Sequence, residues 1–205
     1  MEPSKLPLPA FIDALAGKTP VPGGGGASAL CASLGAALVS MVANYTVGKE
    51  KYAAVEADVS RILGEAETLR ARLLSLIDAD AAAFEPLSRA YGIPKDDPGR
   101  AETLEVCLRD AAAVPMELAR LSCRAIDLHA ELLEKGSAMM RSDVGTGAVL
   151  CWGALYGAAL NVKVNTKPMR DRACADALDR ELDALIDTYW KRAEAVYEAV
   201  LKCYE

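Results

Sequence analysis

The chain has 205 residues and a mass of 21.7 kDa, a length that suits one domain with its own hydrophobic core. Hydrophobic residues make up 52% and charged residues 25%, which excludes a disordered chain, and the net charge of −6 argues against a nucleic-acid-binding protein. Its 38 alanines, against two phenylalanines and two tryptophans, favour closely packed helices. We therefore expect an all-α fold, a single-domain helical bundle over residues 1–205.

Turn signals divide the chain into about six helices, and no alternating strand pattern appears. The expected helices run from Pro9 to Ala16, from about Gly26 to Thr46, from about Lys49 to Ala90, from about Ala101 to Glu134, from Ser142-Asp143 onwards, and from Pro168 to the C-terminus. The fourth helix contains Pro115, which is expected to kink or divide it.

Two stretches without a charged residue, 19–48 and 144–162, are long enough to cross a membrane. Both are rich in Ala, Gly, Ser and Thr rather than Leu, Ile and Phe, and both are interrupted by Asn or Gly. We therefore expect two long, buried, Ala/Gly-rich helices at the centre of the bundle, and no membrane partner.

The cysteine and histidine content indicates a cytoplasmic protein without a metal site. The six cysteines are scattered and form no C-x-x-C pair, which is typical of reduced thiols rather than of a disulfide framework or zinc site. His129 is the one histidine, so a His-based metal site or catalytic triad is close to excluded. No signal peptide is expected, because the N-terminal segment has no long apolar run.

The third helix is expected to have one apolar face, made by Val55, Val59, Ile62, Ala66, Leu69, Leu73 and Leu76. Asp80 occupies the next position on that face, whereas Asp78 falls on the far side. One interpretation of Asp80 is a buried salt bridge or a cap to another helix. The other is a catalytic carboxylate in a cleft, with a pKa changed by partial burial. The spacing does not decide between them.

Four further patterns each have an ordinary and a functional interpretation. The run Gly23 to Gly26 precedes a helix and is either a flexible hinge or a backbone site for an anion or a carbonyl oxygen. Ser142 and Asp143 open the second uncharged helix, where N-capping is the ordinary role. Asn161 and Asn165 share a helix face, so their amides bind each other, a neighbouring backbone or a polar heterocycle. The lysines of the turns are either solvated surface charges or a site for an anionic tail, and they are Lys49, Lys51 and Lys95.

Five groups of segments, in order over roughly residues 7 to 170, resemble the family of formimidoyltetrahydrofolate cyclodeaminase and methenyltetrahydrofolate cyclohydrolase. These segments are residues 19–30 with 34–52, residues 76–84, residues 93–95, residues 142–145 and residues 161–165. The resemblance implies an all-helical homodimer with a site in a cleft near the subunit interface. It also implies a tetrahydrofolate derivative as substrate, including polyglutamylated forms.

The resemblance implies a folate one-carbon enzyme, and three functions remain open. The first is the cyclodeaminase, which converts 5-formimidoyltetrahydrofolate to 5,10-methenyltetrahydrofolate and ammonia during histidine or purine breakdown. The alternative is the cyclohydrolase, which converts 5,10-methenyl- to 10-formyltetrahydrofolate. The third is a non-catalytic helical dimer that binds folate or another protein. Neither reaction requires a metal or a redox cofactor, so we expect no cofactor beyond the tetrahydrofolate substrate.

The expected catalytic residues are Asp80 and Asp143, because one group must take the N10 proton and another must protonate the leaving nitrogen. The expected substrate-binding residues are Gly24, Gly25, Gly26, Asn44, Lys49, Lys51, Lys95, Ser142, Asn161 and Asn165, with the lysines suited to the glutamate tail. Three positions depart from the family pattern, namely Gly26, Ser137 and Pro86. These departures bear on substrate preference more than on the fold.

Overall fold

A computed structural model describes residues 2–205, which form helices and turns without a β-strand. The α-helices are α1 (Leu8–Ala16), α2 (Gly24–Asn44), α3 (Glu56–Tyr91), α4 (Arg100–Lys135), α5 (Arg141–Thr166) and α6 (Arg172–Leu201). Short 3₁₀ helices cover Pro3–Lys5, Glu50–Val55 and Ala138–Met140. The expected all-α fold with six helices is confirmed.

Two expected helix starts were wrong, and of the two effects expected of Pro115, a kink or a division, the division does not occur. The fourth helix is not divided, because Pro115 is buried inside a continuous α4 and the helices packed around it hold both halves together. The third α-helix begins only at Glu56, after the 3₁₀ turn. The last helix begins at Arg172 rather than near Pro168, because the Asp171 side chain accepts a hydrogen bond from the backbone N–H of Cys174 (3.0 Å) and caps that end.

The two Ala/Gly-rich helices, α2 and α5, are antiparallel neighbours, and small residues allow their close approach. A Cβ on Gly35 of α2 would lie 2.3 Å from Cys151 Sγ of α5, and a Cβ on Gly157 would lie 2.1 Å from Ser28 Oγ. The N-terminal end of α2 therefore lies beside the C-terminal end of α5. By length and composition, Gly24–Asn44 and Ala138–Thr166 could each cross a membrane, yet 56% and 44% of their most apolar stretches are buried against other helices.

His129 is a buried core residue that joins three helices. Its Nε2 lies 3.0 Å from the carbonyl oxygen of Gly35, and burial lowers the pKa of the imidazole to about 4, so the ring is neutral. Gly147 of α5 leaves space for the ring, because a Cβ there would lie 2.1 Å from His129 Cε1. Within residues 2–205, no group of three or more His, Cys, Asp or Glu side chains could hold a metal ion.

The predicted apolar face of α3 is buried, and it leads to the candidate site. Its buried members are Val59, Ile62, Ala66, Leu69, Leu73 and Leu76, while Val55 lies half-buried in the preceding 3₁₀ turn. Asp80 continues this face one turn beyond Leu76. The position of Asp80 on this face therefore brings its carboxylate to the N-terminal end of α2.

Candidate active site

A cavity of about 230 Å³ lies where the first turn of α2 meets the C-terminal halves of α3 and α5. It is lined by Pro20, Val21, Gly23, Gly24, Gly25, Asp80, Ala83, Phe84, Leu87, Tyr91, Ala111, Asn161, Val164 and Asn165. Five of the residues expected from the sequence thus meet here: Gly24, Gly25, Asp80, Asn161 and Asn165. Sequence reasoning missed Tyr91 and Ala111, whose positions depend on how α3 and α4 pack.

Asp80 packs directly on the backbone of α2. A Cβ on Gly25 would lie 2.1 Å from Asp80 Oδ1 and 2.5 Å from its Cγ, so only glycine leaves room for the carboxylate. Desolvation by burial raises the pKa of Asp80, and the backbone N–H of Gly26 opposes that rise. Within residues 2–205, no lysine or arginine forms a salt bridge with Asp80. The carboxylate therefore partly caps α2 while its exposed side opens into the cavity.

The glycine run serves the site by lacking side chains rather than by backbone freedom. Gly24 and Gly25 already belong to α2, so this helix begins two residues earlier than the sequence suggested. Among residues 2–205 only Gly48 has a positive φ. A Cβ on Gly24 would lie 3.5 Å from Asn161 Nδ2. Gly26 is buried against Pro22 and lines no part of the cavity.

The two asparagines of α5 present hydrogen-bond acceptors to the cavity. Asn161 Nδ2 donates to the carbonyl oxygen of Gly157 (2.8 Å). Asn165 Nδ2 donates to the carbonyl oxygens of Ala111 (3.1 Å) and Asn161 (2.9 Å). Neither Oδ1 atom accepts a hydrogen bond from another group within residues 2–205, so both remain available to accept N–H bonds from a ligand.

The remaining expected residues, except Gly26 and Lys95, lie at the opposite end of the bundle. Asp143 and Asn161 are separated by 18 residues of α5, which is roughly 27 Å along the axis. The structure of this chain therefore does not bring Asp143 to Asp80. This far end also contains Asn44, Lys49, Lys51 and Ser142, as well as Ser137, whose backbone N–H donates to Thr46 Oγ1 (2.8 Å).

The expected capping role at the start of α5 was wrong. The helix begins at Arg141 with Met140 in the N-cap position and no side-chain cap, so Ser142 and Asp143 lie inside the first turn. There the positive end of the helix dipole stabilises the Asp143 carboxylate. Ser142 lines a separate, mostly apolar cavity of about 360 Å³ between α5 and α6.

The structure is thus an all-α bundle with a desolvated carboxylate that is held on a glycine turn opposite two asparagines. Sequence comparison finds a family for this chain. The sequence model of formiminotransferase-cyclodeaminase matches residues 7–184. The chain belongs to this family, and the resemblance noted in its sequence is confirmed.

Individual relatives show the extent of the similarity. The chain is 41% identical over 194 residues to a methenyltetrahydrofolate cyclohydrolase of Methylorubrum extorquens, covering 93% of both chains. It is 33% identical to the formimidoyltransferase-cyclodeaminase of Sus scrofa, of which it spans 36%. The crystal structure of a formiminotetrahydrofolate cyclodeaminase from Thermotoga maritima superposes with a TM-score of 0.85 at 30% identity, over 96% of this chain and 98% of that one.

Proposed function

We propose that the protein is a tetrahydrofolate enzyme that acts on the one-carbon unit between N5 and N10. The observation that carries this proposal is Asp80, a half-buried carboxylate with a raised pKa, held by glycine backbone and open to a cavity that is also lined by Asn161 and Asn165. The cyclohydrolase reaction is supported by the relative of equal length, at 41% identity. The cyclodeaminase reaction is the second candidate, supported by the superposed structure.

Both reactions need what Asp80 offers. In the cyclohydrolase, water attacks the cationic methenyl carbon, its proton passes to a base, and the bond between carbon and N5 breaks as N5 takes a proton. In the cyclodeaminase, N10 attacks the formimidoyl carbon and loses its proton, the leaving nitrogen gains this proton and one more from the solvent, and ammonia departs as its bond to the carbon breaks and the methenyl cation forms. A carboxylate beside the carbon stabilises the delocalised cation and transfers these protons. A raised pKa brings the carboxyl closer to the working pH, which favours transfer in both directions.

The asparagines complete the assignment by binding the substrate ring. Their free Oδ1 atoms suit the N–H groups of a reduced pterin, which would orient N5 towards Asp80. Since both reactions transfer protons and neither oxidises nor reduces the carbon, we also propose that no cofactor is needed beyond the tetrahydrofolate substrate. A cytoplasmic location is supported by the six cysteines, none of which forms a disulfide within residues 2–205. A role in histidine breakdown follows from the cyclodeaminase candidate alone.

An exposed apolar stripe on α5, beside the candidate site, supports a homodimer. On α5, the exposed positions Val149, Gly153, Tyr156, Leu160 and Val164 form one apolar stripe, in which Leu160 is 74% and Val164 is 63% exposed. Solvent exposure of such a stripe is unfavourable, and a two-fold contact between two copies would cover it. A two-fold axis through the middle of α5 would bring Asp143 of a second copy beside the C-terminal end of α5, near Asp80. Both expected catalytic carboxylates would then serve one site.

The dimer is tested by light scattering and by mixing variants. A Cβ on Gly153 meets no atom within 4 Å, so Gly153→Arg should preserve the subunit fold and yield a monomer. Asp80→Asn and Asp143→Asn subunits, each inactive alone, should regain about a quarter of wild-type activity on random mixing, because mixed dimers contain one complete site. A wild-type protein that scatters as a 21.7 kDa monomer would contradict the dimer. Mixed variants without recovery would contradict the shared site.

The activity itself is tested with one spectrophotometric experiment. Methenyltetrahydrofolate absorbs strongly and is the substrate of the cyclohydrolase but the product of the cyclodeaminase. If the protein is a cyclohydrolase, the absorbance of added methenyltetrahydrofolate should decrease. If it is a cyclodeaminase, this absorbance should increase when 5-formimidoyltetrahydrofolate is added. The heat-inactivated protein is the control, since methenyltetrahydrofolate also hydrolyses without an enzyme. Absence of both activities, with intact folate binding, would favour the non-catalytic binding dimer.

A further inference from the structure

The first turn of α2 lies between two walls of the Asp80 cavity and contacts a cavity residue on each. On the α3 side, a Cβ on Gly25 would lie 2.1 Å from Asp80 Oδ1. On the α5 side, a Cβ on Gly24 would lie 3.5 Å from Asn161 Nδ2. Because one helical turn touches both side chains, its position sets how far the carboxylate lies from the amide.

One turn further from the cavity, α2 and α5 meet at Ser28 and Gly157. Ser28 lies four residues after Gly24, on the same face of α2. Gly157 lies four residues before Asn161, on the same face of α5. A Cβ on Gly157 would lie 2.1 Å from Ser28 Oγ and 3.1 Å from Ser28 Cβ. The Ser28 side chain therefore lies against the backbone of α5 and separates the two helices at this level.

Hydrogen bonds join this contact to the cavity on both helices. The Ser28 hydroxyl group donates to the carbonyl oxygen of Gly24 (2.8 Å). Asn161 Nδ2 donates to the carbonyl oxygen of Gly157 (2.8 Å), which fixes the direction of the amide and leaves its Oδ1 free for a ligand. Gly157 thus supports the amide with its carbonyl group and admits Ser28 by lacking a side chain.

Resting on the function proposed above, we infer that Ser28 and Gly157 are positioning residues, which together set the distance between Asp80 and Asn161. Neither of them lines the cavity, so both act through the first turn of α2 and the Asn161 amide. The reaction requires the carboxylate at the one-carbon unit while the amide binds the ring. A misplacement of about 1 Å between such groups can cost about 10²-fold in rate.

Gly157→Ala tests the spacing by crowding the contact. The new methyl group would force Ser28 to retreat by a few tenths of an ångström, even with its hydroxyl group turned away from Gly24. We expect kcat to fall about tenfold, less than the loss for a full 1 Å misplacement, and KM to rise. Alanine is a good helix former, so the subunit should fold and keep the circular dichroism of wild type.

Ser28→Gly tests the spacing in the opposite sense, because it removes the side chain that separates the helices. This variant should also lower kcat, by about threefold to tenfold. In the double variant, the methyl group added at position 157 takes the place of the lost Ser28 side chain. Its kcat should therefore exceed that of either single variant and lie within about threefold of wild type. Comparison with Ser28→Gly remains decisive even if Gly157→Ala fails to fold.

Gly35→Ala is the matched control, because it crowds the same two helices away from the cavity. Its Cβ would lie 2.3 Å from Cys151 Sγ, at a position on α2 about 10 Å beyond Ser28. We expect this variant to have a lower melting temperature but the kcat and KM of wild type. All variants are assayed with the folate substrate that the wild-type protein converts.

Three results would overturn the positioning role while leaving the proposed function intact. They are wild-type kcat and KM in Gly157→Ala, a double variant whose kcat does not exceed that of Ser28→Gly, and an equal kinetic loss in folded Gly35→Ala. A wild-type protein that converts neither folate substrate would instead overturn the proposed function, and the positioning role with it.

Discussion

Replacing Gly25 with alanine tests how the site holds its carboxylate. The new Cβ would lie 2.1 Å from Asp80 Oδ1 and 2.7 Å from Oδ2, whereas ordinary contacts begin near 3.4 Å. Asp80 must therefore move by roughly 1 Å or more, a misplacement that can cost about 10²-fold in rate. That loss corresponds to about 2.7 kcal/mol in the activation free energy. We expect kcat to fall by this factor and KM to rise.

The fold should survive this substitution. Gly25 lies in the first turn of α2 without a positive φ, so alanine is compatible with its backbone. Alanine favours a helix over glycine by about 0.8–1 kcal/mol, which offsets part of the steric strain of about 1–3 kcal/mol. Steady-state kinetics and urea unfolding measure the two effects separately.

Gly64→Ala is the matched control for this experiment. Gly64 is exposed on α3, and a Cβ there meets no atom within 4 Å. This variant should gain up to about 1 kcal/mol in the free energy of unfolding and keep wild-type kinetics. A Gly25→Ala enzyme with unchanged kcat and KM would refute the close packing of Asp80 on the glycine turn as a requirement for activity.

Two further predictions follow from pKa and packing. Because burial raises the pKa of Asp80, kcat/KM should fall with decreasing pH around a midpoint above 3.8, the ordinary value for this group, and a midpoint at or below that value would contradict the desolvated site. Gly147→Ala should lower the free energy of unfolding by about 1–3 kcal/mol, because its Cβ would lie 2.1 Å from the buried ring of His129. Urea unfolding checks this, and a variant as stable as wild type would show that the core accommodates the methyl group.

The position of Asp80 could be predicted from the sequence, whereas its surroundings could not. The face of α3 repeats with helical spacing from Val59 to Leu76, and a helix must carry that repeat onward to Asp80. By contrast, α2 and α5 are apolar on most sides, so their sequences contain no pattern that indicates which face meets which neighbour. The contact between Gly24 and Asn161 depends on that pairing.

Other features depended on contacts that local sequence does not encode. The sequence predicted a kink or a division at Pro115, and the division does not occur because the neighbouring helices bury this proline inside a continuous α4. Lys95 lines a separate cavity of about 560 Å³, which forms where it and Arg170 approach from loops 75 residues apart in the chain. Asp143 stays a prediction, since one copy of the chain does not bring it to Asp80.

Two aspartates on one turn of α3 allow a matched comparison of structure and chemistry. Asp78 accepts hydrogen bonds from the backbone N–H (2.9 Å) and the hydroxyl group of Ser4, and so fixes the N-terminal segment. Asp78→Asn should therefore lower the free energy of unfolding by about 1–2 kcal/mol with turnover near normal. Asp80 forms no hydrogen bond with this N-terminal segment, and its carboxylate lines the cavity.

Turnover and melting temperature of Asp80→Asn, measured beside Asp78→Asn, test the central claim most directly. Since the folded-state pKa of Asp80 is raised, its ionisation costs stability as the pH rises through that pKa. At neutral pH the uncharged asparagine avoids this cost, so the melting temperature should be unchanged or higher. We expect kcat to fall by about 10² or more, the scale of lost acid–base catalysis. Near-normal turnover together with a clearly lower melting temperature would contradict the catalytic role of Asp80.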